Sequence, residues 1–262
     1  MTDLKNHVKA KLKSGKPALG IYLSTMHPAL IKTISNSGFD WVLYDTEHGP
    51  WSIETVNDMT QRTSGSVASP IVRVVWNDIN AIKRALDTGA YGIIVPWISN
   101  REMAENAVRY SKYPPEGLRG CAARRPAAAW NISPNEYLEI ANDEILIAIQ
   151  IERKEAIENI EEILSVEGID ATWLGPADLS ASLGVRGQFF HPKVLEAAEK
   201  MIEACKSAGV APGIAANEGV MEFGIEYVNK VIEQGFKFIN VSTDLRLLRL
   251  GCEEFLKKVK IP

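Results

Sequence analysis

The chain has 262 residues, a formal net charge of −4 and an apolar content of 46%, with charges of both signs scattered along it. These values exclude a basic nucleic-acid surface, and no apolar run approaches the roughly 20 residues that cross a bilayer. The three cysteines, Cys121, Cys205 and Cys252, are odd in number and far apart. We therefore expect no disulfide framework and a location in the reducing cytoplasm.

The polar, lysine-rich segment Met1–Lys16 predicts a surface helix rather than a targeting segment. Beyond it, eight short runs rich in Val and Ile recur along the chain. Each run is continuously apolar rather than alternating, which is typical of strands buried on both faces of a parallel sheet. The predicted strands are Ala18–Ser24, Asp40–Asp45, Pro70–Val75, Tyr91–Pro96, Ile145–Glu152, Asp170–Leu174, Val210–Ala215 and Phe236–Ser242.

Segments with the period of an amphipathic helix lie between these runs. Eight strand–helix units in about 250 residues predict an α/β fold, a closed (β/α)8 TIM barrel with an extra N-terminal helix, as a single domain over residues 1–262. An open doubly wound sheet is the alternative, but no Gly-x-Gly-x-x-Gly follows the first strand. The predicted helices include Asn77–Asp87, Lys154–Val166, His191–Ala208, Gly219–Gln234 and Thr243–Lys258.

The segment Tyr113–Asp143 departs from this rhythm as an insertion between the fourth helix of the pattern and the fifth strand. A loop of this length is uncommon in a compact domain and is often functional. It is interpreted as a lid or an oligomer contact, or else as a solvated insertion with one short helix.

Two carboxylates follow neighbouring predicted strands at the end where barrel active sites lie: Glu152 after the fifth strand and Asp178 after the sixth. Neighbouring strands are roughly 4.8 Å apart, so both side chains can reach one point, where their repulsion favours a cation. Oxygen ligands suit Mg²⁺, with Mn²⁺ or Co²⁺ as chemical relatives. Alternatively, both are solvated rim carboxylates, with Asp178 capping a helix that begins at Leu179.

Arg73 lies inside an apolar strand and His48 follows the second strand. A buried arginine needs an anion, either a substrate carboxylate or enolate, or an internal partner such as Glu47 or Asp45. His48 is placed to act as a base, or else is a structural loop residue.

Imine chemistry is disfavoured because no lysine lies in the first seven predicted strands, and Lys237 opens the eighth at the wrong end. The loops after the last two strands also lack a glycine-rich phosphate cradle. These absences leave a metal as the electron sink and indicate a substrate without phosphate.

At these positions the sequence resembles the metal-dependent HpcH/HpaI aldolases, a family that includes 4-hydroxy-2-oxoheptanedioate, 2-dehydro-3-deoxyglucarate and 2-keto-3-deoxyrhamnonate aldolases. The resemblance covers about Gly20 to Leu250. Departures at Cys121–Arg125, Trp173 and Ala215–Asn217 border the region expected to meet the aldehyde. The matching stretches are Gly38-Phe39-Asp40-Trp41, Asp45-Thr46-Glu47-His48-Gly49-Pro50, Val72-Arg73, Trp76-Asn77-Asp78, Leu86-Asp87-Thr88-Gly89-Ala90, Lys112-Tyr113-Pro114-Pro115, Arg119-Gly120, Gln150-Ile151-Glu152 and Gly175-Pro176-Ala177-Asp178-Leu179-Ser180.

The resemblance implies a class II pyruvate aldolase that reversibly cleaves a 4-hydroxy-2-oxo acid to pyruvate and an aldehyde. The implied roles are metal binding by Glu152 and Asp178, oxo-acid binding by Gln150, Arg73, Asp178 and the Ala177 amide, enolate stabilisation by Arg73, and proton transfer by His48 with Asp87 raising its basicity. A homohexamer is also implied. Oxaloacetate decarboxylation, a related carbon–carbon cleavage, and a non-catalytic metabolite-binding barrel are the alternatives.

Overall fold

A computed structural model describes residues 6–216 and 224–259 as a closed barrel of eight parallel strands. Each strand pairs with the next along the chain, and β1 closes the ring by pairing with β8. The predicted (β/α)8 fold is confirmed, whereas a single domain over all 262 residues stays a prediction. The strands are β1 (Ala18–Tyr22), β2 (Trp41–Asp45), β3 (Ser69–Arg73), β4 (Gly92–Val95), β5 (Leu146–Ile151), β6 (Ala171–Leu174), β7 (Gly213–Ala215) and β8 (Phe238–Thr243).

The strands are short and apolar on both faces because each face packs into a separate core. Along β2, Trp41 and Leu43 enter the core inside the barrel, while Val42 and Tyr44 enter the core between the sheet and the helices. This double burial explains the continuous apolar runs. β7 begins later than predicted, at Gly213, because Pro212 has no N–H to donate to a neighbouring strand.

Helices connect the strands and cover the outside of the barrel. None of those described is long and apolar enough to cross a membrane. Over the described ranges they are α1 (His7–Lys13), α2 (Pro28–Ser35), α3 (Ile53–Arg62), α4 (Ile79–Asp87), α5 (Arg101–Ser111), α6 (Arg124–Trp130), α7 (Pro134–Glu144), α8 (Lys154–Glu158), α9 (Ile160–Leu164), α10 (Pro176–Ser182), α11 (Pro192–Ala208), α12 (Gly224–Glu233) and α13 (Asp244–Lys258).

Two predicted helices differ from the structure or reach beyond the part that is described. The segment Lys154–Val166 forms two short helices, because Asn159 leaves the helical conformation (φ −97°, ψ 14°) and donates from its side chain to the carbonyl of Ser99 at 2.9 Å. Residues 219–223 of the predicted helix Gly219–Gln234 lie outside the described residues.

The N-terminal helix α1 packs against the barrel instead of lying free on the surface. Val8 and Leu12 join the core inside the barrel. Lys9 lies 3.0 Å from an Asp170 carboxylate oxygen and donates to the carbonyl of Ile145, also at 3.0 Å. Since Ile145 and Asp170 precede β5 and β6, α1 covers the end of the barrel where the strands begin.

The insertion Tyr113–Asp143 contains two helices, α6 and α7, rather than one short helix. Trp130 is buried, stacks on Tyr91 and donates from its indole nitrogen to the carbonyl of Gly89 at 3.0 Å. Gly89 and Tyr91 precede β4, so the insertion covers the amino ends of the strands. The lid interpretation is therefore wrong, because a barrel's active-site loops lie at the opposite end; a contact between subunits stays a prediction.

Candidate active site

Five polar side chains converge at the carboxyl ends of β2, β3 and β5. Asp45 and Arg73 end β2 and β3 in register with each other, and Glu47 follows two residues beyond β2. Gln150 lies in β5 and Glu152 follows it. Asp45, Arg73, Gln150 and Glu152 are all buried. Buried ionisable groups at this end of a barrel are typical of an active site.

Arg73 is held by an internal ion pair, which is one of the two arrangements that the sequence left open. Its Nε and Nη2 donate to the two oxygens of Asp45 at 2.7 and 2.6 Å, and Nη1 donates to Gln150 Oε1 at 3.4 Å. The guanidinium lies 5.2 Å from the ring centroid of Trp173. Burial alone would raise the pKa of Asp45, but the hydrogen bonds and charge of Arg73 hold it below its usual value. Asp45 is thus ionised, and its two hydrogen bonds fix the orientation of Arg73.

Glu47 lies between Arg73 and the exposed imidazole of His48. One carboxylate oxygen of Glu47, Oε2, is 3.3 Å from Arg73 Nε, and the other, Oε1, is 3.8 Å from His48 Nε2. The second distance is a charge contact, too long for a hydrogen bond. Burial raises the pKa of Glu47, against the opposing charge of Arg73. In the described part of the chain Oε2 is buried and accepts no hydrogen bond.

Glu152 is the most perturbed carboxyl of the site. Oε1 accepts from the backbone N–H of Trp97 at 2.8 Å, and Oε2 accepts a short hydrogen bond from Gln150 Nε2. Burial, with smaller contributions from the charges of Glu47 and Asp178, raises the pKa of Glu152 to about 7. In the protein without a bound cation, too little positive charge therefore lies near Glu152 to offset the burial of its carboxylate form.

The start of α10 packs closely against this carboxyl. A Cβ at Gly175 would lie 3.0 Å from Gln150 Nε2 and 3.3 Å from Glu152 Oε2, so only glycine fits here without displacing them. Ala177 and Asp178 occupy the first turn of α10, and the Asp178 side chain is exposed. The helix begins at Pro176 rather than Leu179 and has no side-chain cap, so the alternative that Asp178 caps it is wrong.

These residues fit a divalent cation by their chemistry. Within the described residues no group of three or more His, Cys, Asp and Glu side chains is placed to hold a metal. Two carboxylates, Glu152 and Asp178, nevertheless lie close enough for the charge of one to raise the pKa of the other. Mg²⁺ commonly takes one or two protein carboxylates and fills its other positions with water and substrate.

Trp97 is a further member of the site that the sequence reasoning missed. Besides its backbone bond to Glu152, it donates from its indole nitrogen to Glu47 Oε1 at 3.1 Å. Its φ of 61° places a bulky residue in the left-handed region, at a cost on the order of 1–3 kcal/mol. Trp97 follows β4, so the rule that picked out the ends of the other strands would have found it.

Asp87 does not join the other predicted residues within the chain. It ends α4, away from the rim where β2 ends, and accepts from Arg119 Nη2 at 3.0 Å. Arg119 is fully buried and lies over the ring of Tyr113. The charged neighbour of His48 is instead Glu47. Asn217, named among the departures from the family pattern, lies outside the described residues.

Comparisons with known proteins agree with this fold. The family model for HpcH/HpaI aldolase/citrate lyase matches residues 18–250. A 4-hydroxy-2-oxo-heptane-1,7-dioate aldolase of Salmonella typhimurium is 40% identical over 252 residues, which are 95% of this chain and 93% of that protein. An HpcH/HpaI aldolase/citrate lyase family protein of Burkholderia cenocepacia is 31% identical, with a TM-score of 0.87 over 97% of this chain and 99% of the other. A citrate synthase, SbnG, is 30% identical, with a TM-score of 0.81 over 97% of both chains.

Proposed function

This chain belongs to the HpcH/HpaI aldolase/citrate lyase family and is an aldolase, a carbon–carbon lyase; from that premise we propose that it reversibly cleaves 4-hydroxy-2-oxo acids to pyruvate and an aldehyde. The observation that carries the proposal is the connected set of Arg73, Gln150 and Glu152 at the active-site end of the barrel. A cation, an amide donor and a carboxylate side by side can hold a small 2-oxo acid by its own oxygens.

The family generally depends on a divalent metal. In this chain Glu152 and Asp178 would hold it, with Mg²⁺ or Mn²⁺ as the expected ion and Co²⁺ as a chemical relative. When bound, the ion would polarise the C2 carbonyl of the oxo acid and so acidify its C3–H bonds. The raised pKa of Glu152 supports this assignment, because a buried carboxylate short of positive charge binds a cation well.

The remaining steps fall to side chains of the chain itself. Gln150 and the backbone amide of Ala177 would orient the oxo acid. Asp45 holds Arg73 in place, so its guanidinium can stabilise the enolate oxygen and the developing alkoxide from a preorganised position. His48 would remove the C3 proton of pyruvate in the aldol direction. The charge that it gains lies 3.8 Å from the Glu47 carboxylate.

The proposed action of Asp87 on His48 requires a second subunit, because Asp87 pairs with Arg119 in its own chain. An Asp87 supplied by a neighbouring molecule would reconcile the role implied by the family with the position of the residue. We expect Asp87→Asn to lower kcat and to shift its pH dependence. Mixing the Asp87→Asn protein with the His48→Ala protein would restore part of the activity, because mixed oligomers contain some sites with both native residues.

A homo-oligomer, which we propose to be a hexamer, is supported by the apolar surface of α13. Within the described residues Asp244 is its only buried member, while Leu248, Phe255 and Leu256 are exposed. The outward-facing Leu19 of β1 and Val241 of β8 are also only partly covered. Apolar surface of this extent is typical of an interface. Leu248→Glu should reduce the mass measured by light scattering, and an unchanged mass would remove this support.

The decisive experiment offers the protein 4-hydroxy-2-oxo-heptane-1,7-dioate and, separately, oxaloacetate, with Mg²⁺, Mn²⁺ or a chelator, and measures released pyruvate. We expect release from the hydroxy-oxo acid that stops with chelator and with Glu152→Gln. Release from oxaloacetate alone would favour decarboxylation, and binding without release would favour a metabolite-binding barrel. Glu158→Gln is the matched control, because Glu158 lies nearby in α8 with an exposed side chain.

A further inference from the structure

Trp97 donates hydrogen bonds to two different carboxylates of the site. Its backbone N–H reaches Glu152 Oε1 at 2.8 Å, and its indole N–H reaches Glu47 Oε1 at 3.1 Å. Glu152 follows β5 and Glu47 follows β2. One residue therefore connects acidic groups that come from strands on either side of β3 and β4.

The left-handed backbone of Trp97 accompanies this double role. In a regular strand the N–H is directed at a neighbouring strand's backbone and the side chain stands on one face of the sheet. With φ at 61°, Trp97 leaves that pattern two residues after β4 ends, and its N–H meets a side-chain carboxylate instead. A non-glycine residue in this conformation persists only where surrounding contacts hold it.

Those contacts act on the indole ring. The ring lies 5.9 Å from the ring of Trp76, at an interplanar angle of 40°. The guanidinium of Arg153 lies 5.1 Å from the centroid of the same ring. Trp76 follows β3 and Arg153 follows β5, so the residues on both flanking strands keep the indole in place. A donor fixed in this way holds its acceptor in a narrow range of positions.

The two carboxylates need such a restraint because they repel each other. Both side chains are buried and both accept from Trp97, and like charges held close together in a buried site repel. Without fixed donors, each carboxylate would be free to turn away from the other and toward solvent. A hydrogen-bond donor for each carboxylate offsets that tendency and fixes the position of the oxygen that accepts from it.

We propose that Trp97 is a positioning residue, whose backbone N–H fixes the Glu152 carboxylate for metal binding and whose indole N–H fixes the Glu47 carboxylate beside His48. This inference rests on the proposed function for its catalytic consequence. It adds a residue to the site that acts through two others and need not touch the substrate itself.

Two substitutions separate the two hydrogen bonds. Trp97→Phe keeps an aromatic ring and the backbone N–H but removes the indole donor from Glu47. Trp97→Gly tolerates the left-handed conformation but removes the ring that holds the backbone against Glu152. The control, Trp130→Phe, also removes an indole donor, but at the opposite end of the barrel, where Trp130 donates to the carbonyl of Gly89.

The readouts are Mn²⁺ affinity, followed by the electron paramagnetic resonance signal of the free ion, and kcat and KM for retro-aldol cleavage. We expect Trp97→Gly to weaken Mn²⁺ binding about tenfold or more, as loss of contacts that orient a metal ligand does. Trp97→Phe should lower kcat about tenfold while KM and Mn²⁺ affinity change by less than about threefold. Trp130→Phe should stay within about twofold of the original protein in all three.

The proposal is overturned if both Trp97 variants match the original protein within about twofold in Mn²⁺ affinity and kcat. Should Trp97→Gly fail to fold, the split between kcat and KM in Trp97→Phe decides. If the original protein binds Mn²⁺ but cleaves no hydroxy-oxo acid, the proposed function fails, and the Mn²⁺ series alone decides the role of Trp97. If the original protein binds no Mn²⁺, both the metal site and this proposal are wrong.

Discussion

Replacing Glu152 with glutamine should remove activity and yet stabilise the metal-free protein above neutral pH. Burial raises the pKa of Glu152 from its ordinary value of about 4.5 to about 7. In the unfolded chain the same group ionises near its ordinary value. As the pH rises from 4.5 to 7, the unfolded state therefore loses its proton first, and the native state becomes less stable.

The size of the effect follows from that difference. One pKa unit corresponds to 1.36 kcal/mol, so full ionisation of Glu152 costs on the order of 3 kcal/mol above pH 7. Glutamine avoids this cost, but its amide group replaces the carboxylate whose Oε2 accepts a hydrogen bond from Gln150 Nε2. A strained or lost hydrogen bond there costs about 1 kcal/mol. We expect a net gain of about 2 kcal/mol at pH 8, or roughly 4–8 °C in melting temperature for a chain of this size.

The assay is thermal unfolding in chelator at equal protein concentration, at pH 5 and at pH 8. The advantage of Glu152→Gln should be present at pH 8 and nearly vanish at pH 5. At pH 5 the folded protein keeps the proton of Glu152, and ionisation of the unfolded chain, only half a unit above its pKa, is worth about 1 kcal/mol, which the altered hydrogen bond cancels. Added Mn²⁺ should stabilise the original protein but not the variant. The exposed control Glu158→Gln should change stability by less than about 0.5 kcal/mol. If Glu152→Gln is no more stable than the original at pH 8, the burial argument is refuted.

Arg73→Ala should lower kcat by about 10²–10³-fold, because it removes a preorganised donor to the enolate and leaves Asp45 without its partner; steady-state kinetics test this, and an unchanged kcat would contradict it. His48→Ala should slow exchange of the pyruvate C3 protons with deuterated water by about 10²–10⁴-fold, whereas exchange at the original rate would assign the base elsewhere. Trp130→Ala should destabilise the protein by about 3–5 kcal/mol through a buried cavity, with the kcat of the folded fraction unchanged; a lower kcat would show that the insertion acts on the site.

The architecture could be predicted from the sequence because it depends on local patterns. Continuous apolar runs mark strands buried on both faces, and all eight predicted strands occur in order. The same rule selected Arg73, Gln150 and Glu152, which the barrel does bring together. These residues could be predicted because they lie at strand ends, and the apolar runs that mark the strands also mark where they end.

Contacts between distant parts of the chain could not be predicted from local patterns in the same way. The sequence allowed either a ligand or an internal carboxylate as the partner of Arg73, and the strand register decided for Asp45. Asp87 entered by family resemblance, and the fold pairs it with Arg119. The insertion Tyr113–Asp143 could be recognised from its length, but its position at the amino ends of the strands depends on the packing of Trp130.

The sequence by itself determined the barrel, its number of strands and the rim on which the polar residues lie, because side-chain periodicity and strand polarity are properties of short segments. Only the tertiary structure decided which charges neutralise each other and how Trp97 turns to meet Glu47 and Glu152. Those outcomes depend on distances of a few ångströms between segments far apart in the chain, and on one unusual backbone angle that no residue pattern encodes.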